Sequence, residues 1–379
     1  MLKETGELMS TIEPKSVQPN YAVVSSEPGF KTLCSYNWQD DGSIFVPGGP
    51  PKWTPPILPV RLPQDTGQQF IDQNAYRVPR YPFEPAFQAM AIMNPSVRLN
   101  DVDIIANRNS LRKLLDFAAG KGQDPFCMGL HMINDTLVIS RKERCARHMI
   151  HGAANSGYGH NFEKAFTAPD EGMDNSSSHH RVIRYHIGSM DCVVRFEVDA
   201  YYEDPDDTDM AQLTSDPVGA LTSSMTDLAV TNQSSTAPTP KGATKAVRKG
   251  NFIHPSKLAE IKARKAERLN DAMPQLWFGR TPYFMVGKHN NGVVNSVSIT
   301  HAASIFAAWE KENDDRLRKL VSVLAELKSI VKGTAKGAAI LVYEKGGGLK
   351  AFEMKKDTGV LPKDIIGRHW DVAGDVKLK

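Results

Sequence analysis

The sequence predicts an α+β fold: a mixed, largely antiparallel β-sheet core flanked by helices, with a disordered insertion. Two observations carry this expectation. Strand-like runs come in pairs around turn dipeptides, and the helical stretches between them show no βαβ rhythm. Residues 204–250 contain no Phe, Trp or Tyr and are rich in Ser, Thr, Pro and Asp, so they cannot bury enough apolar area to offset their ordering entropy. There is no internal repeat.

In chain order, residues 1–20 are polar and aperiodic and are expected as a disordered tail. Residues 21–82 are expected as an extended, proline-rich arm, because VPGGPPKWTPPILPVRLP (46–63) can neither continue a helix nor donate fully to a ladder. The patterned core then occupies 83–203 and 251–379 as a single catalytic-type α+β domain. In NRNSLRKLLDFAAG, Leu111, Leu114, Leu115 and Phe117 recur at helical spacing, with Asn109 or Ser110 as the cap and Gly120 as the stop. FCMGLHMI and TLVISRKE flank Asn134-Asp135 as a hairpin. A short helix follows from His160 to Thr167. A second hairpin, RVIRYHI with MDCVVRFEVDAYY, turns at Gly188-Ser189. Beyond the insertion, QLWFGRTPYFMVGKHNNGVVNSVSI is expected as two strands turning at Asn291-Gly292. A helical region over 302–331, broken near Asn313-Asp314 and stopped by Gly333, precedes a last hairpin, AAILVYEK with LKAFEMKK.

Composition narrows the class. The 379 residues are 41% hydrophobic and 23% charged, which excludes a wholly disordered chain, a collagen and a coiled-coil rod. At roughly 150 residues per domain the length also allows two or three domains. No apolar run approaches the roughly 18–20 residues of a membrane helix. The opening MLKETGELMS has no apolar h-region, so the protein is expected not to be secreted. Four cysteines without a CxxC pair point to reduced thiols in a cytosolic or nuclear protein. A net charge of +3 does not by itself mark a nucleic-acid binder.

Five local features could carry chemistry. On the strand expected over 192–200, Glu197 and Asp199 lie two apart and share a face. Neighbouring carboxylates raise each other's pKa, and a hard divalent cation relieves that repulsion. The plain alternative is a polar edge face. Glu260 and Lys262 would share a face if Glu260-Ile261-Lys262 is a strand. KLAEIKARKAERLN is equally a good helix sequence, which would leave both residues on a solvated surface. Gly159-His160-Asn161-Phe162-Glu163 puts a carboxylate on a short helix. Arg108 opens another helix, with a side chain suited to bidentate phosphate binding. Gln275 stands two residues before Trp277. Each alone suits an ordinary surface residue. His148 and His151 could be half a zinc site, but no third ligand has a usual spacing. Asp206-Asp207-Thr208-Asp209 superficially matches a prenyl-transferase aspartate motif, but such motifs sit on long helices.

Taken in order, Arg108, GxxxE ending at Glu163, Glu197-x-Asp199, Glu260-x-Lys262 and Gln275 resemble the motif series of the decapping exoribonuclease (DXO-type) family. That family has a metal-dependent nuclease fold of the PD-(D/E)XK kind, and the likeness spans roughly Phe83 to Glu353. The resemblance implies a divergent member. Glu163, Glu197, Asp199, Glu260 and the Ile261 carbonyl would hold one or two Mg²⁺ or Mn²⁺ ions. Lys262 would orient the attacking water, Arg108 would hold a 5′ phosphate, and Gln275 would sit beside the lysine or the nucleotide. The implied activity is hydrolysis at RNA 5′ ends (decapping, 5′ pyrophosphohydrolase or 5′→3′ exoribonuclease). RNA and a 5′→3′ exoribonuclease are the implied partners, and the nucleus or cytoplasm the compartment. Two positions depart from the family: Asn109 follows Arg108 where Gly is usual, and His160 stands where a hydrophobic residue is usual. The alternative within the same fold is a catalytically inert RNA-binding or nuclease-partner protein.

Overall fold

The computed structural model describes residues 4–143, 146–151, 156–205, 242–356 and 359–371. Among these, strands build an eleven-stranded sheet, a seven-stranded sheet and a two-stranded ribbon. Across the larger sheet the order is Thr5–Ile12, Leu349–Met354, Ala338–Tyr343, Phe126–Ile133, Thr136–Arg141, Ile104–Asn107, Met190–Val198, Ser176–Ile187, Lys31–Gln39, Ile44–Pro47 and Ala246–Lys249. The smaller sheet runs Thr167–Ala168, Lys52–Trp53, Ala200–Tyr201, Leu258–Arg264, Tyr283–Asn290, Val293–His301 and Val60–Arg61. Most pairs are antiparallel. Parallel pairing joins Ile104–Asn107 to Met190–Val198 and Leu258–Arg264 to Tyr283–Asn290. The α+β expectation and the four hairpins hold.

One core joins the two sheets. Val194, Phe196 and Val198 of the larger sheet and Leu258, Phe284 and Val286 of the smaller pack with Leu111, Leu115, Leu276, Trp277, Leu320 and Leu324 from three helices. These helices are Arg108–Ala118, Leu269–Gly279 and Asp314–Lys332. The opposite face of the larger sheet is covered by Glu84–Met93 and Lys363–His369, and that of the smaller by Gly159–Phe166. The long helical region is broken at Asn313 and capped by Gly333, as its sequence implies.

Several expectations need correction. The supposed tail carries Thr5–Ile12, an edge strand on Leu349–Met354. Its signal is weak because an edge strand buries little; here only Thr5 and Ile12 are fully covered. The proline-rich arm contributes Lys31–Gln39, an interior strand buried along nearly its whole length. Its alternation, with Cys34, Tyr36 and Trp38 set between Ser35, Asn37 and Gln39, is a strand signal that the proline-dense stretch after it obscures. The last residues assigned to the insertion form Ala246–Lys249, parallel to Ile44–Pro47. The rest of that insertion, 206–241, lies outside the described residues, as does the Asp206–Asp209 motif. Gln275 sits on a helix, Leu269–Gly279, and not on a strand, since Ala272, Met273, Leu276 and Trp277 are buried with helical spacing. The helix opens at Arg108, and Asn107 rather than Asn109 or Ser110 holds the N-cap position; that side chain accepts instead from Arg195 Nε at 2.9 Å.

Phe162 and Gly287 fix the position of the Gly159–Phe166 helix. A Cβ on Gly287 would lie 2.2 Å from the Phe162 ring, so the bare backbone there is what lets the ring rest on the sheet. Gly287→Ala is expected to destabilise the protein by about 1–3 kcal/mol through overpacking. Chemical denaturation of the single variant and of Gly287→Ala/Phe162→Leu checks this. The second change should recover part of the loss, because it trims the obstructing ring.

Candidate active site

The chain crosses from one sheet to the other at a carboxylate. The strand Met190–Val198 ends one residue before Asp199, and Ala200–Tyr201 then pairs with Ala259 and Leu258 in the smaller sheet. Glu197 and Asp199 therefore do not lie on one unbroken strand, as expected from the alternation; Asp199 occupies the step between sheets. The pairing of Ala200 with Ala259 brings Asp199 beside the segment 260–262. Ile261 N–H donates to Asp199 Oδ2 at 3.0 Å, and Lys262 Nζ lies 3.1 Å from the same oxygen.

Glu260-Ile261-Lys262 is on a strand, and the helical alternative is excluded. Ile261 packs with Phe162, Ala259 and Met285 beneath the smaller sheet. Glu260 and Lys262 project from the other face, in register with Phe284 and Val286. Glu260 is the centre of the cluster, with only 1% of its side chain exposed. Its Oε1 contacts Lys262 Nζ and accepts from Gln275 Nε2, while Oε2 faces Arg108 Nη1 at 3.4 Å. Arg108 is stacked over Phe196, its guanidinium carbon 5.4 Å from the ring centroid. A Cβ on Gly279 would come within 3.2 Å of Arg108 Nη1, so this glycine leaves room for the guanidinium. Gln275 Oε1 in turn accepts from Arg112 Nη1 at 3.1 Å, which fixes the direction in which the amide points.

Glu163 approaches from the Gly159–Phe166 helix. Asp65 caps this helix from outside, accepting the N–H groups of His160 at 3.2 Å and Asn161 at 3.0 Å. Those are among the N-terminal donors that a helix leaves unpaired. The charges of Asp199, Lys262, Glu197 and Glu260 all bear on Glu163. Arg108, Lys262 and Gln275 thus contact Glu260, Lys262 also contacts Asp199, and Glu163 and Glu197 are near enough for their charges to be felt.

The electrostatics divide the carboxylates into two kinds. Burial raises Glu163, and Asp199 adds to the rise. Glu197 is pushed up to about 7 by burial and by Asp199, with Arg108 opposing. Glu197 remains open to solvent along the cleft, so water tempers that rise. Asp199 is pushed up by burial and by Glu260, with Lys262 opposing. Glu260 is the exception: burial would raise it, but Lys262 and Arg108 outweigh burial and hold it ionised. Lys262 loses from burial, yet Asp199 and Glu260 keep it firmly protonated.

Hard carboxylate oxygens that repel one another form a donor set suited to Mg²⁺ or Mn²⁺. Among the described residues, however, no three His, Cys, Asp or Glu side chains are drawn together tightly enough to form a metal-holding group. Lys262 stands between Asp199 and Glu260 and supplies the positive charge there. The other histidine idea fails on geometry. His148 and His151 lie on Arg147–His151, three apart on a strand, and so face opposite ways. Sequence reading missed Asp65 and Arg112. Arg112 could have been found from its spacing, four after Arg108 on a helix. Asp65 left no local signal, because its partners are 95 and 96 residues away.

This fold is that of the Rai1 proteins. It resembles S. pombe Rai1 with a TM-score of 0.58 at 12% identity, covering 90% of this chain and 98% of that one. Candida albicans Rai1 in complex with pU5-Mn²⁺ gives 0.59 at 13%, covering 96% and 99%. Scheffersomyces stipitis Rai1 in complex with (3′-NADP)⁺ and calcium ion gives 0.56 at 13%, covering 90% and 93%. The chain itself belongs to the family described as "Domain of unknown function (DUF8563)", which it matches over residues 7–370. No curated protein matches its sequence. Among the described residues no helix is long and apolar enough to cross a membrane.

The raised Glu197 carboxyl has a consequence for stability. Above the unfolded value of 4.5, the folded protein holds a proton on Glu197 to higher pH than the unfolded chain does, over a window that solvent exposure narrows. This contribution to stability therefore falls as pH rises through that window. His179 and His180, held neutral by burial, act in the opposite direction over overlapping pH, so the effect must be isolated by substitution. Urea midpoints of wild type and Glu197→Gln in EDTA should diverge from pH 5 to 7.5, the variant gaining on wild type as pH rises. Parallel pH profiles would contradict the assignment.

Proposed function

We propose that the protein is a divalent-metal-dependent hydrolase acting on RNA 5′ ends, of the decapping, 5′ pyrophosphohydrolase or 5′→3′ exoribonuclease type. The observation that carries this reading is buried, ionised Glu260, contacted at once by Arg108, Lys262 and Gln275, with Asp199 alongside. A carboxylate so deeply buried is costly unless it is compensated and used. The Rai1-like fold supports the reading, and two of the similar proteins are described as complexes with pU5-Mn²⁺ and with (3′-NADP)⁺ and calcium ion.

In this reading Glu163, Glu197, Asp199 and Glu260 hold one or two Mg²⁺ or Mn²⁺ ions. The Ile261 carbonyl is a further ligand: it leaves the strand on the same edge as its N–H, the edge that faces Asp199. The chemistry such ions supply when bound is acidification of water and offsetting of charge on the phosphoryl oxygens. The chain's own groups do the rest. Arg108, held over Phe196, clamps the 5′ phosphate. Lys262 keeps its ammonium proton and turns a free N–H toward the phosphate or the attacking water. Gln275, its amide oriented by Arg112, fixes the Glu260 carboxylate. Hydrolysis forms a bond from the water oxygen to phosphorus and breaks the bond to the leaving oxygen.

The second reading is a catalytically inert RNA-binding or nuclease-partner protein of the same fold. The two readings separate by experiment. Wild type with Mn²⁺ should release 5′ nucleotide or cap material from triphosphate, unmethylated-cap or NAD-capped RNA, and EDTA should stop it. Asp199→Ala and Glu260→Ala should each lower kcat at least about 100-fold, with cooperative unfolding retained. Wild type that binds RNA but leaves all three substrates intact would be a binding protein.

A further inference from the structure

Of the charged groups around Glu260, Lys262 is the least fixed. Asp199 Oδ2 accepts from the Ile261 N–H at 3.0 Å, which ties that carboxylate to the backbone. Glu260 is held on both oxygens, by Gln275 Nε2 on one and by Arg108 Nη1 at 3.4 Å on the other. Arg108 is itself pinned, since its guanidinium lies over the Phe196 ring. The backbone beneath is held too, because Leu258–Arg264 pairs with Ala200–Tyr201 on one edge and with Tyr283–Asn290 on the other. Lys262 differs. Its side chain is 29% exposed, against 1% for Glu260, and its ammonium is held by Asp199 Oδ2 at 3.1 Å and by Glu260 Oε1. An ammonium is a compact point charge on a flexible four-carbon stem, so it can leave such a contact where a stacked guanidinium cannot.

Asp199 and Glu260 are the carboxylates that the hydrolase reading gives to a divalent cation. The ammonium already neutralises the gap between them. Two cations in one gap repel, and a hard divalent ion is the stronger partner for carboxylate oxygens. We propose that Lys262 is the resident counter-cation of the metal-free site and yields this place to a divalent ion by exchange, its ammonium swinging off Asp199 and Glu260 into the cleft. The exchange frees the N–H donors that the two carboxylates hold until then. Lys262 therefore turns fully to a phosphate only after the ion has bound, so ion and phosphate bind in that order. This rests on the metal-dependent reading for the identity of the entering ion, but the exchange is measured without turnover.

The first test uses the wild-type full chain. Acetylation of its lysines by an amine-reactive ester, read by peptide mass spectrometry, is compared in EDTA and in saturating Mn²⁺. Lys262 should react at least about threefold faster with Mn²⁺, because an ammonium released from two carboxylates gives up its proton more readily. Lys345, exposed at a turn, is the reference that should not change. The second test is calorimetric titration with Mn²⁺. Lys262→Met should bind the ion at least about tenfold more tightly than wild type, since no charge has to be displaced, whereas Asp199→Asn should bind it more weakly. If Lys262→Met does not fold in EDTA, the labelling alone decides. Equal labelling of Lys262 with and without bound Mn²⁺, or a Lys262→Met affinity no tighter than wild type, overturns the exchange. If Mn²⁺ releases Lys262 but RNA is left intact, the exchange stands and the hydrolase reading falls. If RNA is hydrolysed while Lys262 stays protected, the reverse holds. Failure of Mn²⁺ to bind wild type overturns both.

Discussion

The contact of Lys262 with both Asp199 and Glu260 is the interaction on which the rest of the cleft depends. Removing a carboxylate from water costs several kcal/mol even after relaxation, and Glu260 is almost wholly removed. Its charge survives only because Lys262, Arg108 and Gln275 occupy both of its oxygens. Each of those partners needs support in turn. Arg108 rests on Phe196 in a space left by Gly279, and Gln275 is turned by Arg112. Asp199 is tied to the Ile261 backbone. The network draws on the larger sheet, the smaller sheet and two helices, so those elements can pack in only one arrangement without stranding a charge.

That dependence explains why the two sheets meet where they do. Strand Met190–Val198 passes its direction to Ala200–Tyr201 across a single residue, and that residue is Asp199. The carboxylate at the seam could not sit in either sheet interior without losing access to solvent. On the far side of the smaller sheet, Phe162 and Phe166 lie against Ile261 and Met285, which fixes how far Glu163 reaches over the edge. Gly287 permits that approach and Asp65 completes the helix start, so the acidic end is positioned by apolar packing below and by one cap at the side.

Much of this was legible in the sequence because it is local. The hairpins at Asn134-Asp135, Gly188-Ser189 and Gly346–Gly348 follow from alternation and turn residues. The motif residues were legible as an ordered series, although none was decisive alone. What failed was whatever depends on distant partners. Lys31–Gln39 alternates at Cys34, Tyr36 and Trp38 but adjoins a proline-dense stretch that masks it, and Thr5–Ile12 buries too little to show. The run Leu276-Trp277-Phe278 is continuously apolar, so periodicity could not separate helix from strand there. For Glu260 the local preference was helical, and its strand comes from pairing with Tyr283–Asn290 and Ala200–Tyr201. Tertiary pairing overrode propensity at the residue that matters most to the site.

The long excursion between Asp199 and Glu260 is compatible with such a tight network for a topological reason. Tyr201 pairs with Leu258 and Ala200 with Ala259, so the chain leaves and returns on adjacent strands. The geometry of Asp199 against Glu260 is set by those two pairs and by the Ile261 N–H, all within three residues of the carboxylates. Lengthening the connection adds only about 0.6 kcal/mol of closure cost per doubling. Ala246–Lys249 then anchors the returning chain to the larger sheet before it reaches Leu258. The length of the segment between is thereby uncoupled from the site, and sequence there can diverge without moving Asp199 or Glu260. In Glu260-Ile261-Lys262 no such freedom exists, because Glu260, the Ile261 N–H and Lys262 are each committed to a named contact in the cleft.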